Sequence, residues 1–170
     1  MKIADISPNY TVRKIDAADI DDVYALACKN EVFYRYCPPF VSKDSILSDM
    51  EALPPNKTYD DKYYIGFWKD NLLVAVMDLI TNYPNPASIL IGFFMVDQSF
   101  QGKGIGSSII GDLLAYAKNL GYVFARLGYT KGNPQSKAFW HKNGFCETGE
   151  EYQTQGYTVV VMEKSLAERN

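Results

Sequence analysis

The run Gln101–Ser107 (QGKGIGS) sets glycines at 102, 104 and 106 directly ahead of an apolar periodicity. Glycines leave backbone N–H groups uncovered, and the first N–H groups of a helix lack intrahelical acceptors and carry about half a positive charge. Together these are the chemistry for holding an anion, above all a phosphate. The spacing narrows which phosphate. A nucleoside-triphosphate loop needs GxxxxGK[ST], which Gly102-Lys103-Gly104 does not supply. A dinucleotide loop needs GxGxxG, but Ile109 stands where the last glycine would follow Gly104 and Gly106. The acidic ribose partner expected ~20 residues later is also missing, since that region holds Arg126. The pattern left is Q-x-x-G-x-G, made by Gln101, Gly104 and Gly106.

Other chemistries find little material. Cys28, Cys37 and Cys146 are odd in number and irregular in spacing, which suits reduced thiols and not a disulfide framework. His141 is the single histidine and no CxxC pair exists, so no metal site is expected. A net charge of −3 offers no general attraction to nucleic acid or an anionic membrane. The first residues, MKIADISPNY, lack the apolar core of a signal peptide, and no apolar run nears the ~20 residues that span a bilayer. The expectation is a cytoplasmic protein with no nucleic-acid or membrane partner.

The elements that must position the glycine turn follow from the patterning. Ser88–Val96 is nearly continuous Ile, Leu, Phe and Val, a central strand covered on both faces. Behind the turn, Ile105, Ile109, Leu113 and Ala117 recur on one helix face, and Gly121 ends that helix. Upstream, Tyr10–Ile15 predicts a strand, Asp16–Cys28 a helix, Glu31–Val41 an aromatic loop and Lys43–Leu53 a second helix stopped by Pro54-Pro55. Tyr63–Trp68 and Leu72–Ile80 predict a hairpin about Lys69-Asp70-Asn71. Downstream come a strand at Val123–Leu127, a helix from Pro134 to Lys142 capped by Asn133, and a hairpin of Phe145–Tyr152 with Gly156–Glu163. No linker or repeat divides the chain, so residues 1–170 are expected to form a single domain. Its class is α+β: a mixed, mostly antiparallel central sheet flanked by helices, with at least one parallel neighbour pair.

With the strand IGFFMV, Asp97, Phe100, the Q-x-x-G-x-G turn and its helix in place, the chain resembles the GNAT superfamily of acyl-CoA-dependent N-acyltransferases. Asn133, Ala138-Phe139-Trp140 and Asn143-Gly144-Phe145 resemble that family's C-terminal motif, with the alanine in a shifted place. The resemblance implies that Gln101, Gly102, Lys103, Gly104, Ile105, Gly106 and Ser107 hold the pyrophosphate of acetyl-CoA. It implies that the pantetheine arm pairs with the backbone of Phe94, Met95 and Val96 in a gap between strands, and that Asn133 hydrogen-bonds and Trp140 packs against that arm. Two departures concern the reacting end. Trp140 stands where many members carry a tyrosine acid, and an indole N–H is no proton donor near neutral pH. Leu90 stands where members often carry a glutamate base. Tyr129 is then the candidate acid and Asp78, inside the apolar run VAVMDLI, the candidate base.

The implied activity is acetyl transfer from acetyl-CoA to the primary amine of a small molecule by direct attack. The acceptor would lie beneath Glu31–Val41 and Thr81–Ala87, against Phe33, Tyr34, Tyr36 and Tyr83. The alternative is a catalytically silent acyl-CoA sensor or interaction module, motivated by Trp140 and Leu90. Homodimers are common in the family, so a second copy of the chain is a partner the resemblance allows.

Overall fold

The computed structural model describes residues 1–167; the end of the expected 1–170 domain lies outside the described residues. Its strands are β1 (Thr11–Lys14), β2 (Lys62–Lys69), β3 (Leu72–Thr81), β4 (Ser88–Val96), β5 (Phe124–Thr130), β6 (Cys146–Gln153) and β7 (Thr158–Ser165). Its α-helices are α1 (Ile20–Cys28), α2 (Glu31–Tyr36), α3 (Lys43–Glu51), α4 (Ile105–Asn119) and α5 (Pro134–Lys142). The strands form one sheet in the order β1-β2-β3-β4-β5-β7-β6. Every pairing is antiparallel except β4 with β5, which α4 joins as a crossover. This is the α+β architecture that the element order implies.

Each face of the sheet has its own core. On one, Ile109, Ile110, Leu113 and Ala117 of α4 pack on Ile65, Met77, Leu79 and Ile91. On the other, Val23 and Leu26 of α1 and Ile46 of α3 pack on Tyr64, Val76 and Met95. Local chemistry starts the helices as expected. Ser42 and Ser45 make a reciprocal cap on α3, and Asn133 accepts from the Ser136 N–H ahead of Pro134 on α5. Asp16 and Asp19 make another such box, but on a short 3₁₀ turn, Ala17–Asp19, that precedes α1.

Two expected boundaries shift. Glu31–Val41 is not all loop, because Glu31–Tyr36 closes into α2. Phe33 meets Phe93 edge-on at 5.7 Å and Tyr34 meets Phe40 at 5.1 Å, so burial of aromatic rings organises a segment with weak helix signals. β5 runs to Thr130, beyond the expected Leu127, because it pairs with β7 as far as Thr130 opposite Val159.

The feature that shapes the site is a bulge at Gly92. Asp78 lies opposite Phe93 and Leu79 opposite Ile91, so Gly92 has no partner on β3. The extra residue changes which side chains face which core. Ile89 and Ile91 face α4 before the bulge, and Phe94 and Val96 face it after, while Phe93 and Met95 turn to α1 and α3. At the same point β4 parts from β5: the last parallel pair is Ile91 with Leu127.

Candidate active site

Beyond Ile91 and Leu127 a gap opens between β4 and β5. Phe94, Met95 and Val96 line one side of it, and Gly128, Tyr129 and Thr130 continue the other strand. At the end of β4 the chain turns through Asp97 and a 3₁₀ turn, Gln98–Phe100, into the glycine run and α4. From Gly102 to Ser107 no backbone N–H donates to a protein acceptor within hydrogen-bonding geometry among the described residues; the first that does is Ser108, to Gly104. Gly102 and Gly104 hold φ of +73° and +79°, and no heavy atom lies within 4 Å of where their Cβ would stand. These two glycines therefore set backbone direction and leave an open approach to the N–H groups at the head of α4. Gly106 serves packing: a Cβ there would stand 3.1 Å from Phe139 and 3.4 Å from Val96.

The side chains of the turn point elsewhere. Gln101 Nε2 donates to Asn30 Oδ1 at 2.6 Å and to the Val96 carbonyl at 2.9 Å. Asn30 Nδ2 donates to the Leu26 and Val96 carbonyls. The Lys103 ammonium turns back to the Ser99 carbonyl at 2.8 Å. Asp97 accepts from Lys29 at 2.7 Å and from the N–H and hydroxyl of Ser99. Burial pushes the Asp97 carboxyl up, but Lys29 and Ser99 outweigh it and hold the group below the ordinary carboxylate value. What the turn offers an anion is thus backbone, fastened from below by Gln101.

On the α5 side, buried Asn133 uses Oδ1 as the helix cap, and its amide NH2 donates to no group among the described residues. Trp140 is 6% exposed and sits in an aromatic cluster, 4.9 Å from Phe139, 5.3 Å from Phe145 and 6.2 Å from Phe94. Its indole N–H has no hydrogen-bond partner among the described residues, whereas every fully buried side-chain polar atom there has one, so the N–H keeps some access. Tyr129 donates its phenol proton to Glu147 Oε1 at 2.7 Å. Burial and then that carboxylate push its pKa up to about 12. Glu147 also faces Lys137 at 2.9 Å and His141 at 3.8 Å.

On the other face, Phe33, Tyr34 and Tyr36 come together on α2, with Phe33 and Tyr34 in edge-on contact at 5.0 Å. Tyr83 is not with them: it lies on the turn before Ser88, at the end of β4 opposite Met95 and Val96. Asp78 faces α1 and α3 from β3, and both its oxygens accept from Lys62 Nζ, at 2.8 and 2.7 Å. The Lys62 side chain is only 3% exposed. Burial acts on Asp78 more strongly than Lys62 does and raises its pKa. Gly92 makes the room, since a Cβ there would stand 3.0 Å from Asp78 Oδ2.

Several residues of this region escape sequence reasoning. Gly92 carried a usable signal, a glycine inside an apolar strand run. Lys62 and Asn30 carried none, because their partners are 16 and 71 residues away. Asp49 of α3, which with Tyr34, Tyr64 and Phe93 lines a cavity between helices and sheet, looks like any polar residue of a short amphipathic helix.

The sequence profile of the acetyltransferase (GNAT) family matches residues 29–145, well over half of the chain, and the chain belongs to that family. No curated protein sequence matches it. Solved structures share its fold at low identity. An acetyltransferase from Thermus thermophilus superposes with a TM-score of 0.70 at 15% identity, over 91% of this chain and 95% of that one. A ribosomal-protein alanine N-acetyltransferase from Escherichia coli gives 0.67 at 13% identity, over 94% and 96%. The PaiA N-acetyltransferase from Thermoplasma acidophilum, solved in complex with coenzyme A, gives 0.66 at 18% identity, over 91% and 97%. The family uses acetyl-CoA and acts on amine acceptors. Among the described residues no helix is long and apolar enough to cross a membrane, and no group of His, Cys, Asp and Glu is arranged to hold a metal.

Proposed function

We propose that this chain is a single-domain, cytoplasmic N-acetyltransferase that moves the acetyl group of acetyl-CoA to the primary amine of a small molecule. The observation that carries the reading is the row of unpartnered N–H groups from Gly102 to Ser107, at the head of α4 and beside the gap between β4 and β5. Acetyl-CoA supplies the thioester and the leaving thiol. The Gly102–Ser107 N–H groups hold its pyrophosphate. The open edge of β4 at Phe94–Val96 pairs with the arm, and a strand N–H there polarises the carbonyl. Asn133 offers the arm its free amide protons, and Trp140 a ring to pack on.

The amine must lose a proton as its lone pair attacks, and the thiolate must gain one. Asp78, oriented by Lys62 and raised by burial, takes the first. Tyr129 gives the second by turning its phenol proton from Glu147 to the thiolate, and the phenolate takes a proton back from solvent; Glu147 orients the phenol between turnovers. Phe33, Tyr34 and Tyr36 wall the acceptor side.

The test is thiol release from acetyl-CoA across a panel of small amines, run beside direct coenzyme A binding. Turnover with an amine is the expected result, and Asp78→Asn should remove the acidic limb of the pH–rate profile. The second reading, a silent acyl-CoA sensor, is favoured by Trp140 in place of a phenol and by the pKa of about 12 at Tyr129. Tight coenzyme A binding with no turnover on any amine would establish it.

A further inference from the structure

The cavity between the sheet and α1–α3 measures about 10 Å3, the room of one water molecule. Tyr34, Asp49, Tyr64, Phe93 and Met95 line it. Tyr64 is 6% exposed, yet its hydroxyl has no hydrogen-bond partner among the described residues. Every fully buried polar atom there has a partner, so this hydroxyl keeps access to open space, and the cavity is the space it lines. Asp49 is an exposed residue of α3 that lines the cavity with part of its side chain, and it has no hydrogen bond or ion pair among the described residues. Its carboxyl is pushed up by burial and drawn back only by the Lys62 charge.

The charge count around the cavity is uneven. Lys62 pairs with Asp78 through a two-oxygen contact, which leaves Asp49 only the longer-range pull of that one charge. The phenols of Tyr34 and Tyr64 are both raised by burial first and by the Asp49 charge second, so the carboxylate bears on both. A carboxylate, an unpartnered hydroxyl and aromatic rings around the space of one water match an alkylammonium head, by ion pairing, hydrogen bonding and cation–π attraction.

The ammonium held there is not the amine that reacts. An attacking amine must present a lone pair, so it cannot remain charged. We propose that this cavity is a subsite for a second, permanently protonated amino group, so that the preferred acceptor is a small diamine with one end at Asp49 and Tyr64 and the other at the β4 gap. This rests on the acetyl-transfer reading and deepens it.

The experiment compares 1,4-diaminobutane, butylamine and 4-aminobutanoate, of similar length and with cationic, neutral and anionic tails. In the unaltered protein, kcat/KM is expected to be roughly tenfold to a hundredfold higher for the diamine than for butylamine, with 4-aminobutanoate lowest. Asp49→Asn should bring the diamine-to-butylamine ratio close to one, mainly through KM for the diamine. Tyr64→Phe should narrow it several-fold while keeping the ring. Equal kcat/KM for diamine and butylamine in the unaltered protein would show that the cavity takes water only and overturn the subsite, leaving acetyl transfer intact. An Asp49→Asn variant that loses all amines equally would overturn it too, by making Asp49 a base or a structural group. No turnover with any amine would overturn both readings together.

Discussion

Replacing Gly104 with glutamate tests the proposed phosphate turn at the residue that precedes α4. Gly104 is the residue before α4, with φ of +79° and no heavy atom within 4 Å of a built Cβ. A Cβ at this position therefore meets open space. The backbone alone costs about 1–2 kcal/mol for a side chain held in the left-handed region, which in a chain of this size lowers Tm by about 2–8 °C. Gly104→Ala measures that part by itself, and Gly104→Asn should recover some of it, since asparagine tolerates this region. The charge adds a separate effect on binding. A carboxylate about 5 Å from one phosphate charge, at an effective dielectric near 20, repels it by about 3 kcal/mol, or roughly a hundredfold in affinity. Titration calorimetry with coenzyme A, paired with thermal unfolding of the free protein, separates the two. Alanine should lower Tm but keep most of the affinity; glutamate should lower Tm similarly and lose about a hundredfold. If the glutamate variant binds coenzyme A within about threefold of the parent while showing the same loss in Tm, the pyrophosphate does not sit on these N–H groups.

Further outcomes bear on the reacting end and on the anchor of the turn. Tyr129→Phe should reduce kcat by about a hundredfold if its phenol protonates the thiolate, with KM for acetyl-CoA little changed; an unaltered kcat assigns the phenol to holding Glu147. Trp140→Ala should cost about 3–5 kcal/mol in a urea titration, because the ring fills the cluster of Phe94, Phe139 and Phe145; a loss below about 1 kcal/mol would contradict that packing. Asp97, whose folded value is lowered, contributes stability above the ordinary carboxylate pKa of about 4 and loses it as pH falls through the lower folded value. Asp97→Asn should therefore be less stable near neutral pH and flatter in acid, as read from urea midpoints between about pH 2 and pH 7; a parallel curve for the two proteins would show that Asp97 is not ion-paired in solution.

What could be read from the chain was local. The strand Ser88–Val96, the glycine turn and α4 are neighbours in sequence, and their signals act within a few residues of each other. The caps at Ser42 and Asn133 belong to the same class. What could not be read depends on register. Lys62 reaches Asp78 only because β2 and β3 pair with Lys62 opposite Ile80 and Tyr64 opposite Asp78. The faces taken by Phe93 and Phe94 depend on one unpaired glycine, and period-2 alternation counted from Ile89 puts each on the wrong side. Gln101 was legible as part of the motif, but its inward turn to Asn30 was not, since nothing near either residue names the other.

The joint at Lys29–Asn30 touches both ends of the stretch that leads into the phosphate turn, through Asp97 and through Gln101. Two residues later the chain is in α2, with Phe33 resting on Phe93. The turn proposed to hold the cofactor and the helix proposed to wall the acceptor are therefore both fastened at one short joint. Binding free energies form a closed cycle, so any factor by which an occupied turn changes acceptor affinity through this joint must return unchanged as a factor on the cofactor. Which partner arrives first is a matter of rates, but their mutual affinity is one shared quantity.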